Sequence, residues 1–219
     1  MEPIKAIIFD WDNTIINSFD DLLHYHQEVG HLLGWPPVSD EQIRAVWGRP
    51  FEELIRTLWP THAMQDFRAA YQQYILGQCV SEIKGATTTI ATLKESFLLS
   101  ILTAAPRFEV EHFLAQLRFK ETDFFLIQTA DDSSHYKPDP QVFDKLIEAL
   151  QEQRVGIREI LYVGDSVTDF YAARSAALRF TAVLTGSSSR EQFCRAGVRT
   201  QNILSSIVEL PAWLGQQSV

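Results

Sequence analysis

The sequence predicts an α/β fold in which a Rossmann-like, mostly parallel sheet core carries an inserted run of helices. Three observations support this. A short β-branched apolar run, Ile4-Lys5-Ala6-Ile7-Ile8-Phe9, comes near the start and delivers two carboxylates, Asp10 and Asp12. Helical spacing with no convincing strand then fills the stretch from Ile15 to Val80. From Gly85 onward, apolar runs alternate with helical patterns, as expected for βα units joined into a parallel sheet. The boundaries that follow are 1–14 with 83–219 for the core and 15–82 for the helical insertion.

The first run is apolar without alternation, which marks a strand buried on both faces. In an open α/β sheet, ligands bind at the carboxyl ends of such strands. Asp10 and Asp12, two apart on an extended chain, point the same way, and Asn13 tolerates a left-handed turn. Two like charges so close call for a cation. A helix is expected from Ile15 through Leu22, Leu23, Val29 and Leu33 until Gly34, followed by the Trp35-Pro36-Pro37 break. Ser39 with Gln42 has the pattern of a capping box, for a helix ending near Gly48. Further helices are expected over 51–58 and from Ala63 to about Cys79.

In the alternating half, helices are expected over 87–95, 107–117 and 167–177, and strands over 97–102, 124–128, 160–163 and 180–184. Asp139-Pro140 opens another helix through Leu150, with an N-cap aspartate and proline at the first helical position. Gly186-Ser187-Ser188-Ser189 reads as a loop, and 214–219 as a frayed tail.

Composition narrows the function classes. The 219 residues are 46% hydrophobic and 21% charged, ordinary for one globular domain with an insertion. No apolar run approaches the ~18 residues a membrane span needs. The start lacks a basic region followed by an apolar one, so a cytoplasmic protein is expected. Cys79 and Cys194 form no CxxC pair and read as reduced thiols. A net charge of −9 argues against nucleic acid and anionic membranes as partners. Any phosphate site must therefore be locally positive.

Three later features also fall at strand ends or just before helices. Thr103 ends a strand with a hydroxyl, Lys137 sits in Lys-Pro-Asp-Pro, and Gly164-Asp165-Ser166 ends another strand with Asp169 about one helical turn beyond Asp165. Each alone has a plain structural reading: turn-forming aspartates, a solvated lysine, a first-turn acid favoured by the helix dipole. In this order, with the insertion directly after Asp10-Trp11-Asp12-Asn13-Thr14, the sequence resembles the haloacid dehalogenase superfamily, and more narrowly its helical-capped phosphatases such as phosphoglycolate phosphatase.

That resemblance implies a set of roles. Asp10 would attack phosphorus to give an aspartyl phosphate, and Asp12 would serve as acid and then base. Mg²⁺ would be held by Asp10, the Asp12 backbone carbonyl and Asp165. Lys137, Thr103 and backbone N–H groups near Ala104 would bind the phosphate; many relatives have asparagine where Ala104 stands. Asp169 and Ser166 would act one layer out, holding the lysine or a metal-bound water, and Thr14 would steady the Asp12 loop.

In the cap, Gly48 and Arg49 are candidates for reading the substrate, with an interhelical turn carrying a solvated arginine as the alternative. His24, His26 and His31 read as surface or packing residues, Trp35, Trp47 and Trp59 as cap core, and Asp131-Asp132 as a loop acid pair. The cap has no lysine between Ile15 and Ile83, and Asp12 is present, which disfavours the phosphonate-hydrolysing and dehalogenase branches. The expected partner is a small-molecule phosphate ester acted on by a monomer or homodimer. The alternatives are a sugar phosphomutase of the β-phosphoglucomutase type and a noncatalytic binding module.

Overall fold

The computed structural model describes residues 2–217. Strand β1 (Ala6–Phe9) lies at the centre of the main sheet, its four residues fully buried. Ile7 and Phe9 enter the apolar cluster on one face, and Ala6 and Ile8 the cluster on the other. This is why the run is continuously apolar.

The chain next forms β2 (Ile16–Asn17), helices α1 (Phe19–Leu32), α2 (Asp40–Val46), α3 (Phe51–Leu58) and α4 (Met64–Ile75), then β3 (Ser81–Glu82). β2 and β3 pair antiparallel, Ile16 opposite Glu82 and Asn17 opposite Ser81, so the helical segment leaves and re-enters the core through a two-stranded ribbon. No strand was expected between Ile15 and Val80, and β2 corrects that: two residues are too few to show periodicity. The first helix also begins at Phe19 and not Ile15. The Trp11 carbonyl accepts from the N–H groups of Thr14, Ile15 and Ile16, which holds these residues in a turn. The predicted capping box on α2 is present, with the Ser39 hydroxyl accepting from Gln42 N–H and Gln42 Oε1 from Ser39 N–H.

The remaining elements alternate: α5 (Ala86–Leu93), β4 (Leu98–Leu102), α6 (Arg107–Gln116), β5 (Leu126–Gln128), α7 (Asp144–Glu152), β6 (Ile160–Gly164), α8 (Val167–Ser175), β7 (Arg179–Val183), α9 (Arg190–Ala196), β8 (Ile203–Leu204) and α10 (Leu210–Gln217). The main sheet has the order β5-β4-β1-β6-β7-β8 with every neighbouring pair parallel. The chain fills one side of β1 with β4 and β5, then crosses to β6 on the other. The switch point, where a crevice opens at the strands' carboxyl ends, therefore lies at β1.

Two further expectations need correction. The helix opened by Asp139 starts as a 3-10 turn over Pro140–Phe143 before continuing as α7, with Asp139 accepting from Gln141 N–H. The supposed frayed tail is α10 as far as Gln217; Leu210, Trp213 and Leu214 fall at helical spacing and are buried in the core. Residues 218 and 219 of that expectation lie outside the described residues. No helix among the described residues is long and apolar enough to cross a membrane.

Candidate active site

Asp10 stands one residue beyond β1, its N–H bonded to the Val163 carbonyl of β6 at 2.9 Å. Trp11 is fully buried edge-on to Phe119 and anchors the loop in the core. Asn13 adopts the left-handed conformation expected of it (φ 54°), and its side-chain oxygen accepts from Phe19 N–H at the start of α1. The reversal turns the Asp12 carboxylate toward the ribbon, where the Ser18 hydroxyl donates to it at 2.6 Å. Asp10 and Asp12 are two residues apart but have different partners.

Asp10 is held by Lys137, whose Nζ lies 2.8 Å from Asp10 Oδ1 and 2.7 Å from Asp169 Oδ1. Tyr162 on β6 completes this knot: its hydroxyl accepts from Lys137 at 3.1 Å and donates to Asp169 at 2.8 Å. Ser166 caps α8 and donates to Asp169 Oδ2 from its N–H and hydroxyl at 3.0 and 2.6 Å. Both Asp169 oxygens are thus occupied by donors from the chain. Asp165, at the end of β6, accepts from Ser187 N–H at 2.7 Å. The Gly186-to-Ser189 loop expected from sequence therefore reaches the site. A Cβ on Gly186 would fall 1.8 Å from Asp165 Oδ2, and one on Gly164 2.6 Å from Asp169, so both close approaches require glycine.

Carboxylate oxygens of Asp10, Asp165 and Asp169 lie within 4.8 Å of one another, all buried. Three acids face one ammonium. Burial pushes the Asp10 carboxyl well up, with Asp169 and Asp165 adding to the rise and Lys137 opposing it. Asp165 is raised to about 6 by burial and by Asp169. Burial would lower Lys137, but Asp10 and Asp169 outweigh it and keep the ammonium charged. Asp12 is raised by burial, against the Ser18 hydrogen bond. Because both Asp169 oxygens are taken by donors, Asp10 and Asp165 are the side chains of this cluster that could hold a divalent cation. An all-oxygen, doubly anionic setting suits a hard ion.

These groups floor a cavity of about 910 Å³ between core and helical segment, whose wall includes Trp47, Gly48, Arg49, Phe51, Ala104 and Lys137. Gly48 has φ +83°, and Arg49 is paired with Glu53 at 3.0 Å. Trp47, read as cap core, also lines the cavity; Trp59 is the buried one. Phe51 N–H bonds the Ala104 carbonyl at 3.3 Å, tying α3 to the strand end beneath it. Thr103 and Thr14 do not line the cavity. The Thr103 hydroxyl accepts from Ala105 N–H at 3.0 Å, and the Thr14 hydroxyl is buried with no partner among the described residues. Asp131 and Asp132 bind Arg68 and Arg107, and Arg68 brings this pair into contact with the cap.

Tyr162, Ser187, Ser18, Glu109 and Tyr71 were not singled out from sequence. Tyr162 leaves one trace, a hydroxyl-bearing ring in the otherwise aliphatic run Ile160-Leu161-Tyr162-Val163.

A parallel α/β sheet with paired aspartates at its switch point, facing a cavity beneath a run of helices, has the architecture of a hydrolase of the α/β class. The haloacid dehalogenase-like hydrolase family model matches residues 7–183, and the chain belongs to that family. Phosphoglycolate phosphatase of Vibrio cholerae is 27% identical over 90% of this chain and 91% of its own. N-acetylmuramic acid 6-phosphate phosphatase of Pseudomonas putida is 26% identical over 84% of each. Among solved structures, CbbY of Rhodobacter sphaeroides in complex with phosphate superposes with a TM-score of 0.80 at 22% identity, over 97% of this chain and 99% of its own; this is a likeness of fold.

Proposed function

We propose that the chain is a Mg²⁺-dependent phosphatase that hydrolyses a small-molecule phosphomonoester through an aspartyl phosphate on Asp10. The observation that carries this reading is the divided pair, Asp10 held by Lys137 and Asp12 held separately by Ser18. An Asp10 oxygen attacks phosphorus and the ester oxygen leaves. Asp12, whose raised pKa favours the protonated form, gives that oxygen its proton. The Asp12 carboxylate then takes a proton from the water that attacks the aspartyl phosphate, releasing inorganic phosphate. Lys137 offsets charge on the phosphoryl oxygens while Asp169 and Tyr162 fix its position.

Asp10, Asp165 and the Asp12 backbone carbonyl are the groups that would hold Mg²⁺. When bound, the ion neutralises the repulsion between the nucleophile and an anionic phosphate. Residues 15–82 serve as the cap that shelters the reaction from bulk water.

The curated relatives act, by their names, on phosphoglycolate and on N-acetylmuramic acid 6-phosphate. Their shared end is the phosphate, and the cap meets the part that differs. The direct test is turnover of p-nitrophenyl phosphate by purified protein with Mg²⁺. Turnover is expected to vanish in Asp10→Asn and on chelation; activity that persists in Asp10→Asn would require another nucleophile.

A further inference from the structure

Under the cap the inner wall of the cavity carries polar groups that the phosphoryl chemistry does not use. Glu109 on α6 of the core is 2% exposed, and its Oε2 accepts a 2.7 Å hydrogen bond from the hydroxyl of Tyr71 on α4 of the cap. No lysine or arginine among the described residues pairs with Glu109, and its other oxygen takes no hydrogen bond from the chain. His26 on α1 lines the same cavity, its ring centroid 4.9 Å from that of Tyr71. His26 Nδ1 lies 2.6 Å from the Leu22 carbonyl, which can only accept, so Nδ1 carries the proton and Nε2 is an acceptor. That Nε2 is buried and has no partner. Such a group gains a hydrogen bond only if a ligand brings a donor.

Glu109 and His26 line the same cavity as Asp10 and Asp12. Trp47 and Phe51, whose rings lie 6.1 and 5.9 Å from that of His26, add apolar faces to this wall. A carboxylate placed here brings no donor to His26 Nε2. The cavity's cap arginines, Arg44 and Arg49, are already paired with Asp20 and Glu53. An uncharged group with hydroxyls gives His26 Nε2 its missing donor, bonds the open oxygen of Glu109 and lays C–H groups on the aromatic rings.

We propose that Glu109, held from behind by Tyr71, and His26 form the leaving-group subsite, and that it selects an uncharged, hydroxyl-bearing group, as in a sugar or polyol phosphate, over one with a carboxylate next to the ester carbon. This rests on the reading of the site as a phosphatase.

The test measures kcat/KM with Mg²⁺ for p-nitrophenyl phosphate, glucose 6-phosphate, ribose 5-phosphate, glycerol 3-phosphate and 2-phosphoglycolate. At least one sugar or polyol ester is expected to exceed 2-phosphoglycolate by about tenfold or more, the loss typical when a buried polar site meets an unmatched group. Glu109→Leu, which removes the hydrogen-bonding oxygens at similar size, is expected to narrow that ratio by raising KM for the polyol ester. His26→Phe is expected to narrow it in the same way. Turnover of p-nitrophenyl phosphate with 2-phosphoglycolate equal to or better than every polyol ester overturns the subsite and leaves the phosphatase reading standing. No turnover of any ester overturns both. The wild-type ratio decides the matter even if the variants do not fold.

Discussion

Asp10 and Asp12 lie two residues apart and their side chains meet different surroundings. Asp10 shares Lys137 with Asp169, whereas Asp12 keeps only a hydroxyl partner and has its pKa raised by burial. If Asp12 protonates the leaving oxygen, Asp12→Ala will slow esters with poor leaving groups far more than p-nitrophenyl phosphate; equal losses across a leaving-group series would remove it from that role. Glu109 offers a second residue-level test. Burial and the Asp12 charge lift it from 4.5 to about 8, against the Tyr71 hydrogen bond. A raised carboxyl adds stability below its unfolded pKa and loses it as pH climbs through the folded value. Metal-free protein should therefore lose stability between about pH 4.5 and 8 through this group, by on the order of a few kcal/mol. Glu109→Gln removes that titration. Its melting temperature relative to wild type should rise steadily from pH 5 to pH 8, and parallel curves would show that Glu109 is ionised in the native state. The places of Asp10, Asp12, Lys137 and Asp165 after a strand or before a helix are legible in the sequence, whereas the roles expected of them rest on the family resemblance, because each alone also has a plain structural reading. Glu109 and Tyr71 were not legible, because their meaning lies in a contact between residues 38 apart, one on each side of the cavity.

At the scale of elements, what could be read was what closes locally. The capping box of α2 needs four consecutive residues, and β1 announces itself by being apolar on both faces. The ribbon of β2 and β3 was hidden because two-residue strands have no period, and α10 was mistaken for a tail because its buried stripe is only one turn long. The Gly186-to-Ser189 loop was recognised as a loop, but its contact with Asp165 depends on β7 lying beside β6. That placement makes a prediction. Alanine at Gly186 puts a Cβ where Asp165 Oδ2 now is, so the carboxylate must move while the elements around it stay. Gly186→Ala should keep its far-ultraviolet circular dichroism and lose about 10–100-fold in Mg²⁺-dependent kcat/KM. Loss of the fold would instead mean that the loop supports the core.

Across the whole molecule, one apolar cluster runs from the sheet face of β1 and β4 into the cap, joining Phe9 and Ile101 to Tyr25, Trp59 and Phe67. The helical segment and the sheet therefore share a hydrophobic interior. The chain carries a net charge of −9, and at the centre of its site three buried carboxylates face one lysine. Folding without a cation keeps that repulsion, and burial together with Asp169 raises Asp165 to about 6. A cation that binds the native state and not the unfolded chain stabilises by about 2.7 kcal/mol at a hundred times its dissociation constant. For a domain of this size that amounts to roughly 5–10 °C in melting temperature. Adding Mg²⁺ to chelator-treated protein should produce a rise of that order. Asp165→Asn separates the proposed ion from general salt stabilisation, because it removes both a ligand and a like charge. In chelator it should melt at or above the wild-type temperature, and it should lose the Mg²⁺ response. A wild-type melting temperature indifferent to millimolar Mg²⁺, or a variant that responds as wild type does, would mean that Asp10 and Asp165 do not hold the ion.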